Sequence, residues 1–308
     1  MSYRIDPRPP LTSEVQRIAA EELGDALRHL AAAQDNPDKC LHECRKRLKS
    51  LRALLRLVRS GDEAFAKAEN ARYREVSAIL AGQREAAALI ETVERLAKSF
   101  PAESAGGAFV PVRDRLVARR GDMLDKDLAA VVGPAIAACE AGMRKIQKLA
   151  LPDQPEMAAD VLADGAGKTL RRARKALQKA RETGEPDDFH DLRKAVKAHA
   201  MHLSLLKKFW PSPVKPRRKA VDVLGEKLGD LHDIFVLRAL LRDEARQLGR
   251  RAETRLPDRL AKHTQRKLSK ECLVEASKLF DDRSKRSAKK LVRNVRHELA
   301  EAQPEAGA

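Results

Sequence analysis

Residues 42–56 read HECRKRLKSLRALLR and carry two regular rows of side chains on one helix. The basic row has spacings of 3, 4, 3 and 4 residues, which place its members on one helix face: His42, Arg45, Lys49, Arg52 and Arg56. An apolar row has the same alternating spacing of three and four residues and is displaced from the basic row by one residue, or about 100° around the helix axis: Cys44, Leu48, Leu51, Leu55 and Val58. A solvated helix face usually mixes both signs and lies opposite the apolar stripe, whereas this row has one sign and adjoins it. The pattern leaves two interpretations, an ordinary surface and a ligand-binding face, and the rest of the chain favours the second.

The composition predicts an all-α protein. Of the 308 residues, 43% are hydrophobic and 35% are charged, and the commonest types favour helices. At this length a single core usually divides, so two domains or subdomains are expected. Helical periodicity between the Gly- and Pro-rich stretches predicts about eight helices and no strand, over residues 13–34, 39–59, 63–98, 111–149, 157–182, 188–209, 215–250 and 258–300. We expect a capping box of Ser13 and Gln16 at the first helix, and bends or breaks at internal glycines such as Gly121, Gly133 and Gly229.

The charge of the chain predicts an anionic partner. The net charge is +17, and it is unevenly placed: residues 1–155 carry 26 Lys and Arg against 22 Asp and Glu, while residues 156–308 carry 36 against 23. An excess of this size favours nucleic acid, an anionic membrane surface or a polyphosphorylated molecule. Composition alone does not choose among these three partners.

The chain has the features of a soluble protein from a reducing compartment, and we predict a cytoplasmic location. Residues 1–15 contain no apolar core of a signal peptide, and the longest nearly apolar run, residues 128–139, is too short to span a bilayer. The four cysteines form no CxxC pair: Cys40, Cys44, Cys139 and Cys272. Free, partly buried thiols are therefore favoured over a metal site.

The second half of the sequence repeats the first with a shift of 148 residues. Residues 42–49, HECRKRLK, fall on residues 190–197, HDLRKAVK, and the pairs share the pattern HxxRKxxK. With no gap, residues 80–85, LAGQRE, then fall on residues 228–233, LGDLHD. Two matches at one distance predict an internal duplication of a four-helix unit, in which the basic row is itself duplicated.

These residues resemble the CHAD family, the conserved histidine α-helical domain. Its repeats carry a His-x-x-Arg-x-x-x-Arg/Lys helix followed by a helix with Leu-Gly-x-x-Arg-Asp, which HECRKRLK, HDLRKAVK, LAGQRE and LGDLHD match. The sequence departs from the pattern at Ala81, Glu85 and His232, and Ala200 stands opposite Arg52, so the second row is shorter. The resemblance implies two four-helix up-down bundles related by a pseudo-twofold, with a basic central groove that binds inorganic polyphosphate. We place the repeats at residues 10–150 and 157–300, followed by a flexible tail at 301–308.

Candidate polyphosphate-binding residues follow from this match position by position. The two repeats supply His42, Arg45, Lys49, Arg52, Arg84, His190, Arg193, Lys197 and His232. Weaker candidates lie one helical step aside or beyond the motif: Lys46, Arg56 and Lys194. Arg217, Arg218 and Lys219 open a helix and are expected either to guard the groove entrance or to be a solvated helix start. Arg171, Arg172, Arg174 and Lys175 point both ways round their helix and are interpreted as surface.

The spacing of the rows suits a linear polyanion. A helix rises about 1.5 Å per residue, so residues three or four apart place cationic heads roughly 5 Å apart along a line. Arginine offers a planar fork to two phosphate oxygens, and lysine offers a point charge that tolerates sliding. Non-catalytic polyphosphate binding, with a targeting or scaffolding role at polyphosphate granules, is therefore the favoured function.

Catalytic and other binding classes are weaker alternatives. No nucleophile–base–orienter set, Walker loop or HExxH motif is present, so we expect neither catalysis nor a cofactor or metal. His199 falls on the core position of Leu51 and is expected to be a partly buried histidine with satisfied hydrogen bonds. Nonspecific nucleic-acid binding fits the charge, but only 3% of residues are aromatic, which leaves few platforms for base stacking. An adaptor that binds an acidic protein is the third class.

Overall fold

The structure is a computed structural model that describes residues 3–80, 82–124, 128–209, 211–247, 250–280 and 283–302. Within these ranges the side chains of residues 82–86, 120–124, 129, 211–214, 247 and 283–292 are outside the description. The described residues form twelve helices and no strand, so the predicted all-α class is confirmed.

The first seven helices are α1 (Leu11–Ala31), α2 (Pro37–Leu57), α3 (Glu63–Ile79), α4 (Gly82–Ser99), α5 (Pro101–Ala105), α6 (Val110–Leu124) and α7 (Leu128–Ile146). The remaining five are α8 (Pro155–Thr183), α9 (Pro186–Leu205), α10 (Pro211–Gln247), α11 (Arg251–Phe280) and α12 (Arg283–Ala302). The predicted number of eight is too low for two reasons. Three long predicted helices each correspond to two helices among the described residues, and α5 occupies a stretch interpreted as punctuation.

The glycine breaks were wrongly predicted. Gly121, Gly133 and Gly229 lie inside α6, α7 and α10, each of which continues through its glycine. A lone glycine costs a helix only about 1 kcal/mol, which packing against neighbouring helices offsets.

The predicted capping box at the first helix is also wrong. Because α1 begins at Leu11 directly after Pro10, Ser13 lies inside the first turn and its hydroxyl donates to the Pro10 carbonyl at 2.8 Å. The Gln16 amide instead donates to the Leu149 carbonyl at 3.0 Å, just beyond the end of α7. A side-chain cap is found at α2, where the Asn36 side chain accepts from the Lys39 N–H.

The helices pack as two rings joined along α2. In the first half α1, α2, α3 and α7 pack in sequence around one core, and in the second α8, α9, α10 and α11 do the same, with α12 against α8. Helix α2 packs on both α8 and α9, and the largest apolar cluster includes residues of both halves. A second cluster joins α4 and α6 to α10 and α11. The two halves therefore share their core.

The halves approach most closely near the C-terminal ends of α2 and α9. A Cβ built on Gly165 of α8 would lie 1.9 Å from the Leu57 carbonyl oxygen, so only glycine fits there. The His202 ring Nε2 lies 3.0 Å from the Ala53 carbonyl oxygen, which links α9 to α2. The segment before α1 crosses the same region, since the Tyr3 hydroxyl donates to the Ser50 carbonyl and the Ile5 N–H donates to the Leu205 carbonyl.

The helix bounds follow the 148-residue shift. Helix α9 ends 148 residues after α2, and α10 begins 148 residues after α3 and ends 148 residues after α4. This agreement supports the duplication, which, like the repeat bounds 10–150 and 157–300, stays a prediction.

The tail prediction is partly wrong, because α12 extends to Ala302; residues 303–308 lie outside the described part of the chain. In that described part, no helix combines the length and the apolar character needed to cross a membrane.

Candidate functional site

The basic side chains of α9 lie directly on α10. We call His190, Arg193 and Lys197 the α9 row. A Cβ added at Gly225 would be 3.7 Å from Lys197 Cγ, and one added at Gly229 would be 3.8 Å from Arg193 Nε. Because both α10 positions lack a side chain, the Lys197 stem and the Arg193 guanidinium lie close to the α10 backbone. The four-residue spacing of these glycines was a sequence signal for the contact that the periodicity analysis missed.

Two predicted histidines stack on each other beside this row. The rings of His190 and His232 are 4.6 Å apart at their centroids and inclined by 27°. Burial, followed by Lys194 and Arg193, lowers the pKa of His190. Burial, followed by Arg193 and His190, lowers the pKa of His232 to about 4. The pair is therefore uncharged near neutral pH, in a place where a positive potential opposes protonation.

The basic side chains of α2 face neutral acceptors on the α3 side. We call His42, Arg45, Lys49, Arg52 and Arg56 the α2 row. The Arg45 guanidinium donates to the Leu80 carbonyl at 3.3 Å, which caps the end of α3, and Arg52 Nε donates to the Asn70 amide oxygen at 3.2 Å. Lys49 is exposed, and the His42 ring is 3.9 Å from the Glu43 carboxylate. These two neutral acceptors orient the guanidinium groups of Arg45 and Arg52.

The α2 row continues onto neighbouring helices at its C-terminal end. Burial, followed by Arg52 and Arg172 of α8, lowers the pKa of Arg56 to about 10. Burial and Arg74 of α3 also lower the pKa of Arg52. Arg74 was missed by the sequence analysis, although it lies one helical turn from Asn70 on the face toward α2. Arg172 is exposed, as its surface interpretation requires, but its charge acts on Arg56.

Several predicted site residues have other contacts. Lys46 pairs with Glu43 at 3.2 Å and Lys194 with Asp191 at 3.1 Å, each on its own helix. At the start of α10, Arg218 pairs with Asp222, Lys219 is exposed, and Arg217 donates to the Leu279 carbonyl at the end of α11. Arg217 therefore caps a helix, while an entrance role for Arg218 and Lys219 stays a prediction. The side chain of Arg84 lies outside the described residues.

The expectation that His199 is satisfied is wrong. His199 is buried with its ring edge-on to Phe280, and neither ring nitrogen has a hydrogen-bond partner in the described structure. Burial lowers the pKa of both His199 and His202 to about 3, so each is neutral. The sequence match to Leu51 predicted partial burial, and the side chain is buried. A periodic pattern carries no information on hydrogen-bond partners for the ring nitrogens. No group of three or more described His, Cys, Asp and Glu side chains is arranged to hold a metal ion.

A family comparison agrees with the repeated motif. The CHAD domain family model matches residues 17–242, a range that includes both basic rows and the His190–His232 stack. The chain belongs to the CHAD family.

Two solved structures are similar to this CHAD domain in fold. PptA from Streptomyces chartreusis has a TM-score of 0.55 at 17% identity, covering 96% of this chain and 100% of the other. The CHAD domain from the plant Ricinus communis has a TM-score of 0.54 at 16% identity, covering 96% and 93%. No curated protein sequence matches this chain.

Proposed function

We propose that this CHAD domain binds inorganic polyphosphate without catalysing a reaction, and that the α2 row and the α9 row both contact the chain of phosphates. The observation that carries the proposal is the pair of single-signed rows with a common spacing, one on each of two helices that pack together. Membership of the CHAD family points to the same ligand.

The electrostatics of the rows favour an anion. Arg52, Arg56 and His232 each have a pKa lowered by burial and by neighbouring cations. Keeping like charges together in a partly desolvated place costs free energy, and a bound polyanion reverses that cost. The lowered pKa values are therefore the expected signature of a cationic site in its ligand-free state.

A chain of phosphates suits these rows better than single phosphate ions. Cationic heads recur about every 5 Å along each helix, so one chain can contact several of them in succession. The Arg45 and Arg193 guanidinium groups can each bind two phosphate oxygens, while Lys49 and Lys197 contribute point charges. Because α2 packs on α9, we place a basic groove between the two rows.

A binding function accounts for the histidines without a catalytic role. Burial lowers the pKa of both His190 and His232, and neighbouring cations lower it further, which disfavours the protonated form that a general acid needs. We infer that the pair contributes hydrogen bonds and proton uptake to binding. A role in targeting or scaffolding at polyphosphate granules is part of the same proposal.

Isothermal titration with polyphosphate tests the proposal on three proteins. The row variant carries Arg45→Glu, Lys49→Glu, Arg193→Glu and Lys197→Glu. The matched control carries Lys67→Glu, Lys98→Glu, Arg144→Glu and Lys148→Glu, four exposed positions with the same change in net charge. Charge-assisted hydrogen bonds contribute about 1.5–3 kcal/mol each, so the row variant should lose at least about 10⁴-fold in affinity.

The matched control should retain most of its affinity. Equal losses in the two variants would show that the protein is a diffuse cation, which contradicts the proposed groove. Monophosphate at the same phosphate concentration should bind far more weakly to the wild type, because it cannot bridge successive cations on one helix.

A further inference from the structure

Helix α11 separates its charges by sign. It carries eight Lys and Arg and four Asp and Glu, and none of the four acids pairs with a cation of its own helix. Asp258 accepts from Arg238 of α10 at 2.8 Å, and Glu271 pairs with Lys227 of α10 at 3.4 Å. Glu275 also pairs with Lys227, and Glu253 pairs with Arg115 of α6. The acids of α11 thus bind the neighbouring part of the fold.

The cations of α11 are on the side that faces solvent. Six of them follow one another at intervals of three or four residues within an arc of about 100°: Arg251, Arg255, Arg259, Lys262, Arg266 and Lys270. We call these six residues the α11 row. All six are exposed, and none pairs with a carboxylate of the described part of the chain. An exposed helix normally intersperses the two signs, so this row is an uncompensated strip of positive charge.

We propose that the α11 row is a second polyanion site, separate from the α2 and α9 rows, and that it binds the phosphate backbone of double-stranded nucleic acid. The row extends over 20 residues, or about 28 Å, which matches roughly eight base pairs at 3.4 Å each. Its charge is complementary to a backbone. Because the side chains stand on an exposed helix face rather than between helices, a rigid duplex can reach all of them.

The chemistry of the surface favours a duplex over two other ligands. Single strands are bound largely by aromatic stacking, and the one Phe, Tyr or Trp side chain of α11, Phe280, is buried. Helices that bind a membrane surface also insert apolar side chains, whereas the one large apolar side chain exposed among the described residues of α11 is Val274, beyond the end of the row. Contacts to phosphate alone give sequence-independent binding.

One end of the row adjoins a cavity. Arg251 and Arg255 line a space of about 440 Å³ together with Arg242 of α10 and Asp258. The Asp258 carboxylate accepts from Arg238 and lies 3.7 Å from Arg242. Because three arginines and this one carboxylate line the cavity, its mouth keeps a net positive charge. It gives the N-terminal end of the row room for a phosphate group beside Arg242.

The test measures binding of a fluorescent 16-base-pair duplex of mixed sequence by anisotropy, from 50 to 200 mM salt. The α11 variant carries Arg255→Glu, Arg259→Glu, Lys262→Glu and Arg266→Glu. Its control is again the matched control, which carries Lys67→Glu, Lys98→Glu, Arg144→Glu and Lys148→Glu. Six phosphate contacts predict that wild-type affinity falls about 10³-fold over this salt range. With two contacts left, the α11 variant should lose only about tenfold over the same range, and should bind at least about 100-fold more weakly at 50 mM.

Further arms decide between this proposal and its rivals. A milder variant with Gln at the same four positions should show an intermediate loss of duplex affinity, and a thermal melt checks that both variants fold. The α11 variant should bind polyphosphate as the wild type does, and the variant of the α2 and α9 rows should bind duplex as the wild type does, so each proposal can fail alone. The inference is overturned if the α11 variant binds duplex normally or if the matched control loses as much duplex affinity. It is also overturned if binding to vesicles with anionic lipid depends on the row while binding to duplex does not.

Discussion

The α2 row and the α9 row have the same spacing but different surroundings. The α2 row ends in Arg52 and Arg56, where the α9 helix has Ala200 and Ser204. The α2 row faces an interrupted pair of helices, and Arg45 binds the carbonyl at the interruption. The α9 row lies on the continuous α10 and its two glycines. The predicted duplication accounts for where the cations recur, while the partner helix determines what they contact: the Leu80 carbonyl accepts from Arg45, and the His232 ring stacks on His190.

The largest expected effect comes from removing the two arginines at the end of the longer α2 row. Arg52→Ala with Arg56→Ala should weaken polyphosphate binding by about 10²–10⁴-fold, since two charge-assisted contacts of about 1.5–3 kcal/mol each are lost. The α9 helix has no arginines to remove at these positions, so Ala200→Gln with Ser204→Gln is the matched control and should change affinity little. Titration calorimetry measures both. An intact affinity without Arg52 and Arg56 would mean that the two rows contribute equally despite their lengths.

A second prediction concerns two core positions that are equivalent under the 148-residue shift, each replaced by the residue type of the other. Leu51 and His199 are 148 residues apart, and both are buried. His199→Leu should raise the free energy of unfolding at pH 7 by about 1–3 kcal/mol, because two unpartnered ring nitrogens no longer need to be desolvated. Leu51→His should lower it by about 3 kcal/mol for the opposite reason. Urea unfolding of both variants checks this; a loss of stability in His199→Leu would mean that the ring has a partner.

The same histidine predicts sensitivity to acid. His199 has a pKa of about 3 in the fold and about 6.5 when unfolded, so the unfolded state takes up the proton first as the pH falls. Its effect is absent above pH 6.5 and grows down to pH 3, reaching about 2 kcal/mol of lost stability at pH 5. His202 adds a similar effect through its own pKa of about 3. Between pH 7 and pH 5, the His199→Leu variant should therefore lose about 2 kcal/mol less than the wild type. Equal losses would contradict the buried, neutral state.

The smallest expected effect concerns the stacked His190–His232 pair beside the α9 row. A polyanion at the α9 row raises the pKa of the His190–His232 pair, so binding takes up protons and should tighten a few-fold per pH unit from pH 7.5 to pH 5.5, within the tenfold limit for one proton. His232→Arg, which restores the arginine of the family pattern, should bind more tightly at pH 7.5 and depend less on pH. Titrations at three pH values with wild type and His232→Arg measure this, and identical pH profiles would exclude the pair from the site.

The sequence was sufficient for features that depend on helical period. Composition and helical periodicity along the chain predicted the all-α class, and the spacing of residues 42–56 and 190–197 predicted that each basic row lies on one helix face. The family was indicated by the resemblance of the repeated motifs. Features that depend on which helix lies opposite were missed. Arg74 enters the α2 row only because α3 packs there, and the end of α3 at Ile79 has no glycine or proline beside it in the sequence. The sign separation on α11 also needs the fold, because Asp258 lies among the cations in sequence but binds α10 in space.

The central claim is that one polyphosphate chain contacts α2 and α9. An experimental structure of this CHAD domain with a short polyphosphate tests that claim most directly. We predict phosphate oxygens about 2.7–2.9 Å from the guanidinium groups of both Arg45 and Arg193, with successive phosphates following the two rows. A chain ordered only along α11, or only on the outer face of α8, would contradict it.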